Sequence, residues 1–201
     1  MDAAQKPFAF VPTDLHTHRT TDLQPNDIVC LSREQMRSAV AMPPADAHHY
    51  SVAVHPWWTN SDEAAALWEH VERLARQPAC VAIGECGLDR LRGAAIETQQ
   101  QWFERHVALS ERIGKPLVIH CVRAYDLLLR LHKTLRPSQT WIVHGFRGKA
   151  SLAAQLLAAG FSLSYGKNHQ PEAYAITPPE RRFVESDDEP VRPQDDWFEP
   201  I

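Results

Sequence analysis

Pro116-Leu117-Val118-Ile119-His120 decides the fold: a short apolar run that ends abruptly in one polar side chain. Trp141-Ile142-Val143-His144 repeats the design. Outward from these two, β-rich runs lie at Phe8 to Leu15, Tyr50 to Val54, Cys80 to Ile83, Phe161 to Tyr165 and Arg182 to Val184, with a weaker candidate at Ile28 to Leu31. They are nearly all apolar rather than alternating, the pattern of strands buried on both faces of a parallel sheet.

Helical periodicity fills the gaps. Asn60 is a good N-cap with Glu63 three residues on, and Ala64, Leu67, Trp68, Val71, Leu74 and Ala75 then repeat at helical spacing until Pro78. A second helix is expected from about Ile96 to Ile113, stopped by Gly114 and Pro116, with shorter ones at Ala124 to Leu135 and Lys149 to Ala159. This alternation fits an open doubly wound sheet or a closed (β/α) barrel, and no internal repeat separates them. The polar residues favour the barrel. His16 and His18, His55, Glu85, His120, His144 and Asp187 each fall at or just past the C-terminal end of a different expected strand, and only a barrel gathers all such ends at one mouth.

The chain has 201 residues, 44% hydrophobic and 23% charged, enough to bury a core as a single domain over residues 1–201. Its 21 basic residues against 25 acidic ones argue against a long sequence-independent grip on nucleic acid phosphates, so any phosphate must be met locally. Cys30, Cys80, Cys86 and Cys121 form no Cys-x-x-Cys pair and sit in apolar runs, as reduced thiols of a cytoplasmic protein do. Met1 to Pro12 does not read as a leader, and no apolar run approaches the roughly 18 residues of a membrane helix.

Within Asp14-Leu15-His16-Thr17-His18, residues two apart on an extended strand point the same way, so both imidazoles can reach one metal ion. Alone, the pair reads equally well as a polar strand end. In Ile83-Gly84-Glu85-Cys86-Gly87-Leu88-Asp89 a carboxylate follows a buried strand between two glycines, where burying it unpaired is costly and its two oxygens can bridge two cations. His120 and His144 would singly be hydrogen-bonded core histidines. Together with His16, His18, Glu85 and Asp187 they point to one metal centre. Imidazole and carboxylate donors suit zinc, manganese or related divalent ions.

Asp-Leu-His-Thr-His, Val-His-Pro, Ile-Gly-Glu-Cys-Gly-Leu-Asp, Val-Ile-His-Cys, His-Gly-Phe-Arg-Gly and Val-Glu-Ser-Asp stand in the order and approximate spacing of the TatD family of metal-dependent hydrolases, which the chain resembles from about Asp14 to Asp187. The resemblance implies a (β/α) TIM-like barrel with two divalent metal ions (zinc, manganese or magnesium) and phosphodiesterase activity on DNA. Carried over by motif, His16, His18, Glu85 and Asp187 would bind one ion and Glu85, His120 and His144 the second. Asp187 would also take a proton from water, so Asp187 and Glu85 are the candidate catalytic residues. His55, before Pro56-Trp57-Trp58, matches the family's His-Pro position and is a candidate for substrate contact, as are Arg123 and Arg147 for phosphate oxygens. Asp89 is expected to orient the turn or a metal ligand. His48 and His49 read as a polar loop pair without a third ligand.

Departures from the family pattern concern length. The interval from His18 to Tyr50 leaves little room for two helices, so one is expected to be loop. Cys121-Val122 precede Arg123 where the family usually has arginine two positions after the histidine. After Asp187 fourteen residues remain, and Pro190, Pro193 and Pro200 oppose a final helix, so the barrel is expected to be shortened, with its last helix missing or degenerate. Gln170 to Arg182 is too proline-bearing for a long helix. Trp197 and Phe198, or a second subunit in a homodimer, would cover the apolar surface left behind. The alternatives to a TatD-type deoxyribonuclease are a metallohydrolase of the same barrel acting on an amide, ester or small phosphoester, and a non-catalytic binding subunit.

Overall fold

The structure, a computed structural model, describes residues 7–38, 49–60 and 62–198. Eight strands, β1 (Asp14–Thr17), β2 (Asp27–Cys30), β3 (His49–Val52), β4 (Cys80–Asp89), β5 (Leu117–Val122), β6 (Trp141–Val143), β7 (Ser162–Tyr165) and β8 (Arg182–Val184), form one sheet in sequence order. Every pairing is parallel, and a parallel bridge between Thr17 and Asp187 joins the two edges into a nearly closed barrel. The apolar runs are therefore strands covered on both faces, as a parallel sheet requires.

Helices α2 (Asp62–Ala75), α3 (Ile96–Ile113), α4 (Tyr125–Leu135) and α5 (Ala150–Ala158) pack outside the barrel. In α2 the six apolar residues that repeat at helical spacing are all buried. Helix α3 ends where Gly114 adopts the left-handed conformation and its N–H bonds to the Ser110 carbonyl. As the spacing predicts, no helix joins β1 to β2, and α1 (Arg33–Ser38) has six residues. Helix α6 (Pro171–Ile176) is equally short, and after β8 only a 3₁₀ turn, Asp195–Phe198, follows among the described residues.

Two apolar layers hold the barrel. Leu117, Ile119, Val143 and Leu163 face the helices, whereas Leu15, Ile28, Ala82, Val118 and Ile142 form a separate cluster with Phe8 against which Phe183 packs. The period of two then sets the next tier: His120 follows Val118, His144 follows Ile142, and Glu185 and Asp187 follow Phe183 on the same face. A polar site sits directly on an apolar floor.

Four expectations are corrected. Phe8 to Leu15 forms strand only from Asp14, because Pro7 and Pro12 interrupt the ladder and Phe8 and Phe10 turn aside to pack on Phe183 and His49. β4 runs to Asp89 instead of ending at Ile83, so Glu85 lies within a strand; likewise His120 lies within β5. His49 begins β3 and stacks on Phe10 rather than belonging to a loop, while His48 lies outside the described residues. The α2 helix begins at Asp62, two residues beyond Asn60, and Ser61 is also outside the described residues.

The C-terminal segment returns over the barrel. Phe198 stacks on His169 and Tyr174, with ring centroids 5.2 and 5.1 Å away. Arg192 donates to buried Asp27 at 2.6 Å, beside Arg19, which contacts both Asp14 and Asp27. These buried carboxylates are paired, which offsets part of the penalty of taking them out of water, although burial still pushes the Asp14 carboxyl up.

Candidate metal centre

Glu85 is the hub of the barrel mouth. Gly84 and Gly87 let its strand lie against β5: a Cβ at Gly84 would sit 2.6 Å from that of Val118, and one at Gly87 would sit 1.9 Å from the His120 carbonyl oxygen. Around the carboxylate, Oε1 meets His120 Nδ1 at 2.6 Å, His144 Nε2 at 2.7 Å and His55 Nε2 at 3.1 Å, while Oε2 faces His16 Nε2 at 3.4 Å. Burial would push this carboxyl up. The His144 charge, the bonds from His120 and His144 and the close approach of His16 more than offset it and hold Glu85 well below the usual carboxylate range.

Asp187 arrives from the loop after β8. Its N–H donates to the His16 carbonyl at 2.9 Å and its carbonyl accepts from the His18 N–H at 3.1 Å. That backbone pairing brings Oδ1 to 3.7 Å from His16 Nε2 and 3.8 Å from His18 Nε2. Of the six residues expected at a metal centre, His18, Glu85, His120, His144 and Asp187 line a cavity of about 860 Å³, and buried His16 lies behind it against Glu85 and Asp187. Burial pushes the His18 and His55 imidazoles below the ordinary histidine value.

Asp89 touches both the turn and a histidine. Its Oδ1 accepts from the Leu91 and Arg92 amides, and its Oδ2 lies 3.1 Å from His120 Nε2 and accepts from the Trp57 indole at 2.7 Å. The Arg92 guanidinium sits 3.6 Å above the Trp57 ring, so that aromatic face is already covered. His55 accepts from the Trp57 amide on Nδ1, which leaves Nε2 to donate to Glu85. Arg123 and Arg147 line the cavity rim, exposed, and neither has an ion-pair partner among the described residues.

Sequence reasoning passed over Glu185. This fully buried carboxylate accepts from the Gly145 amide at 2.7 Å and lies 3.2 Å from His144 Nδ1, the face of the ring turned away from Glu85. Its signal was available: it alternates with Phe183 and Asp187 and stands directly before Ser186-Asp187. Burial would keep His144 neutral, but the carboxylates on both sides raise it well above the ordinary histidine value. The pocket is built to stabilise positive charge.

The donor set fits a divalent cation. Neither ring nitrogen of fully buried His16 has a hydrogen-bond partner among the described residues, and a buried polar atom left so is costly unless something binds it. Four groups have their donor atoms mutually within 4.8 Å: His16, His18, Cys30 and Glu85; His16, His144 and Asp187; His55, Glu85 and His120; and His18, Asp187 and Asp188. Imidazole nitrogen with carboxylate oxygen is the chemistry of zinc and manganese sites.

A family model described as TatD related DNase matches residues 13–196. Among curated proteins, the chain is 34% identical over 150 residues to an uncharacterized metal-dependent hydrolase TatD of Mycobacterium tuberculosis, covering 68% of this chain and 56% of that protein. It is 36% identical over 121 residues to a protein named 3'-5' ssDNA/RNA exonuclease TatD of Klebsiella pneumoniae, covering 57% and 46%. The crystal structure of YJJV, the TatD homolog of Escherichia coli K12, matches with a TM-score of 0.67 at 25% identity over 84% of this chain and 72% of that one. The chain spans about half the length of the curated relatives it matches. With a match from the first strand to beyond the last, on a barrel of the same architecture, the chain belongs to the TatD-related DNase family.

Proposed function

We propose that the chain is a metal-dependent hydrolase that cleaves phosphodiester bonds in DNA. One observation carries the reading: Glu85 presents Oε1 to His120 and His144 and Oε2 to His16, as a carboxylate shared by two cations would. The donors are assigned as His16, His18, Glu85 and Asp187 for one ion and Glu85, His120 and His144 for the other, a mix that suits zinc or manganese better than magnesium. When bound, such ions polarise a phosphate oxygen and lower the pKa of water.

The remaining work falls to side chains. Asp187, with its side chain 31% exposed, is assigned to take a proton from water in the cavity and pass it to solvent. Asp89 and Glu185 hold the rings of His120 and His144 by the nitrogens turned away from or beside Glu85. Arg123 and Arg147 supply unpaired charge at the rim for phosphate oxygens, and His55 stands beside Glu85 where substrate would enter. The name of the Klebsiella relative, a ssDNA/RNA exonuclease, favours nucleic acid over a small ester.

The test is cleavage of a labelled single strand by purified protein with zinc, manganese or magnesium. Asp187→Asn is expected to abolish turnover while retaining metal, and Glu85→Gln to lower occupancy of both ions together. Turnover of a generic ester with no strand cleavage under any metal would overturn the substrate class. Metal bound at less than one ion per chain, with no activity, would overturn the enzyme.

Residues 1–201 are read as one domain, supported by donors drawn from both ends of the sheet; two separate unfolding transitions would argue against it. No described helix is long and apolar enough to cross a membrane. Residence in the cytoplasm accords with four free cysteines. A homodimer is proposed on the exposed Ile176 and Val191, and a stable monomer in light scattering would remove it.

A further inference from the structure

Cys30 ends β2 with its thiol in the same cavity as His18 and Glu85. Its sulfur and the donor atoms of His16, His18 and Glu85 all lie within 4.8 Å of one another. A second, independent observation marks this corner: His16 is fully buried, neither ring nitrogen has a hydrogen-bond partner among the described residues, and Nε2 is aimed at the space beside Glu85 Oε2, 3.4 Å away. We propose that Cys30 is a thiolate ligand of the ion assigned to His16, His18, Glu85 and Asp187, adding a sulfur to its two imidazoles and two carboxylates. The proposal rests on the reading that the barrel mouth binds divalent metal.

The other cysteines set the contrast. Cys80 and Cys86 turn their thiols to the carbonyls of Ala82 and Val118 within the core. Cys121 reaches the cavity wall but joins no cluster of donors among the described residues. A cysteine serving only as a small apolar filler between Val29 and Leu31 has no reason to share one point with two histidines and a glutamate.

The chemistry balances without a further reagent. The thiol S–H gives its proton to solvent, and the sulfur lone pair forms the bond to the cation. Burial, and then the Glu85 charge, push this thiol well up, which the Glu85 amide only partly offsets, so the sulfur gives up its proton only when a cation binds. A soft donor also shifts preference toward zinc and cobalt and away from manganese and magnesium.

The experiment loads the purified full chain with cobalt(II) and records the absorption spectrum, with bound cobalt counted by elemental analysis. A sulfur-to-cobalt charge-transfer band in the near ultraviolet is expected, retained in Cys86→Ser and Cys121→Ser and lost in Cys30→Ser. Zinc affinity should fall about tenfold or more in Cys30→Ser while manganese affinity holds, since residues that merely orient ligands already cost about 10–100-fold. X-ray absorption at the zinc edge of the unaltered protein supplies a readout that needs no variant, with a sulfur scatterer expected at about 2.3 Å. Cobalt bound with no charge-transfer band, or a band that survives Cys30→Ser, overturns the thiolate and leaves the metal centre standing. No bound cobalt or zinc at all overturns both.

Discussion

Ser186 clasps Asp14 across the seam of the barrel: its hydroxyl donates to Oδ2 at 2.5 Å and its amide to Oδ1 at 3.0 Å. The two residues are fully or almost fully buried, lie 172 positions apart, and stand close in sequence to His16 and Asp187, the proposed metal ligands. Ser186→Ala is expected to destabilise the fold by about 2 kcal/mol, the worth of a hydrogen bond to a buried charge, as read from urea denaturation. An unchanged midpoint would mean that Arg19 and the backbone amides of Ser186 and His16 satisfy Asp14 without the hydroxyl.

Glu185→Gln tests how His144 is held. The amide keeps the size of the side chain but removes the charge facing Nδ1. Metal affinity is expected to fall about 10–100-fold, measured by chelator competition, with the far-ultraviolet spectrum unchanged. Unaltered affinity would show that Glu85 fixes the ring by itself.

His106 makes stability depend on pH away from the cavity. It is fully buried, accepts from the Val54 amide on Nε2 at 2.9 Å and contacts the Trp102 carbonyl through Nδ1 at 2.7 Å, so a second proton would break the Val54 bond. Burial pushes its pKa down from 6.5 to about 4. The unfolded chain therefore binds more protons than the folded one between these values. Stability from the neutral ring is complete above pH 6.5, declines as pH falls toward 4, and changes no further below that, a total on the order of 3 kcal/mol. Comparing urea midpoints of the unaltered chain and His106→Gln between pH 7.5 and 4 isolates this slope; equal slopes would reject the assignment.

Gly87→Ala is expected to cost at least about 3 kcal/mol or to prevent folding, because the added carbon would meet the backbone of β5 at a φ of 150°. Thermal denaturation reads the loss. A near-neutral effect would mean that β4 and β5 can separate locally.

The polar tier was legible in the sequence wherever an apolar strand ended in a histidine, because burial on both faces leaves a continuous apolar signature and its end is abrupt. β4 was cut short because Gly84, Glu85, Gly87 and Asp89 all lower strand propensity, while the pairing of Cys86 to Asp89 with β5 overrides it. The missing helix after β1 followed from length alone. Cys30 was not legible as part of the site, since a cysteine beside valine and leucine resembles core, and the signal of Glu185 was passed over because it shares a motif with Asp187. Only three-dimensional convergence gives them partners.

The seam between Asp14 and Ser186 also bears on how the molecule is born. A ribosome delivers His16 long before Asp187, so the proposed cation-binding mouth cannot be assembled cotranslationally until β8 and the loop after it have left the exit tunnel. Premature termination anywhere ahead of Ser186 would yield a polypeptide lacking both the clasp and an acidic donor, and the proposed cutting activity would arrive only with the finished barrel.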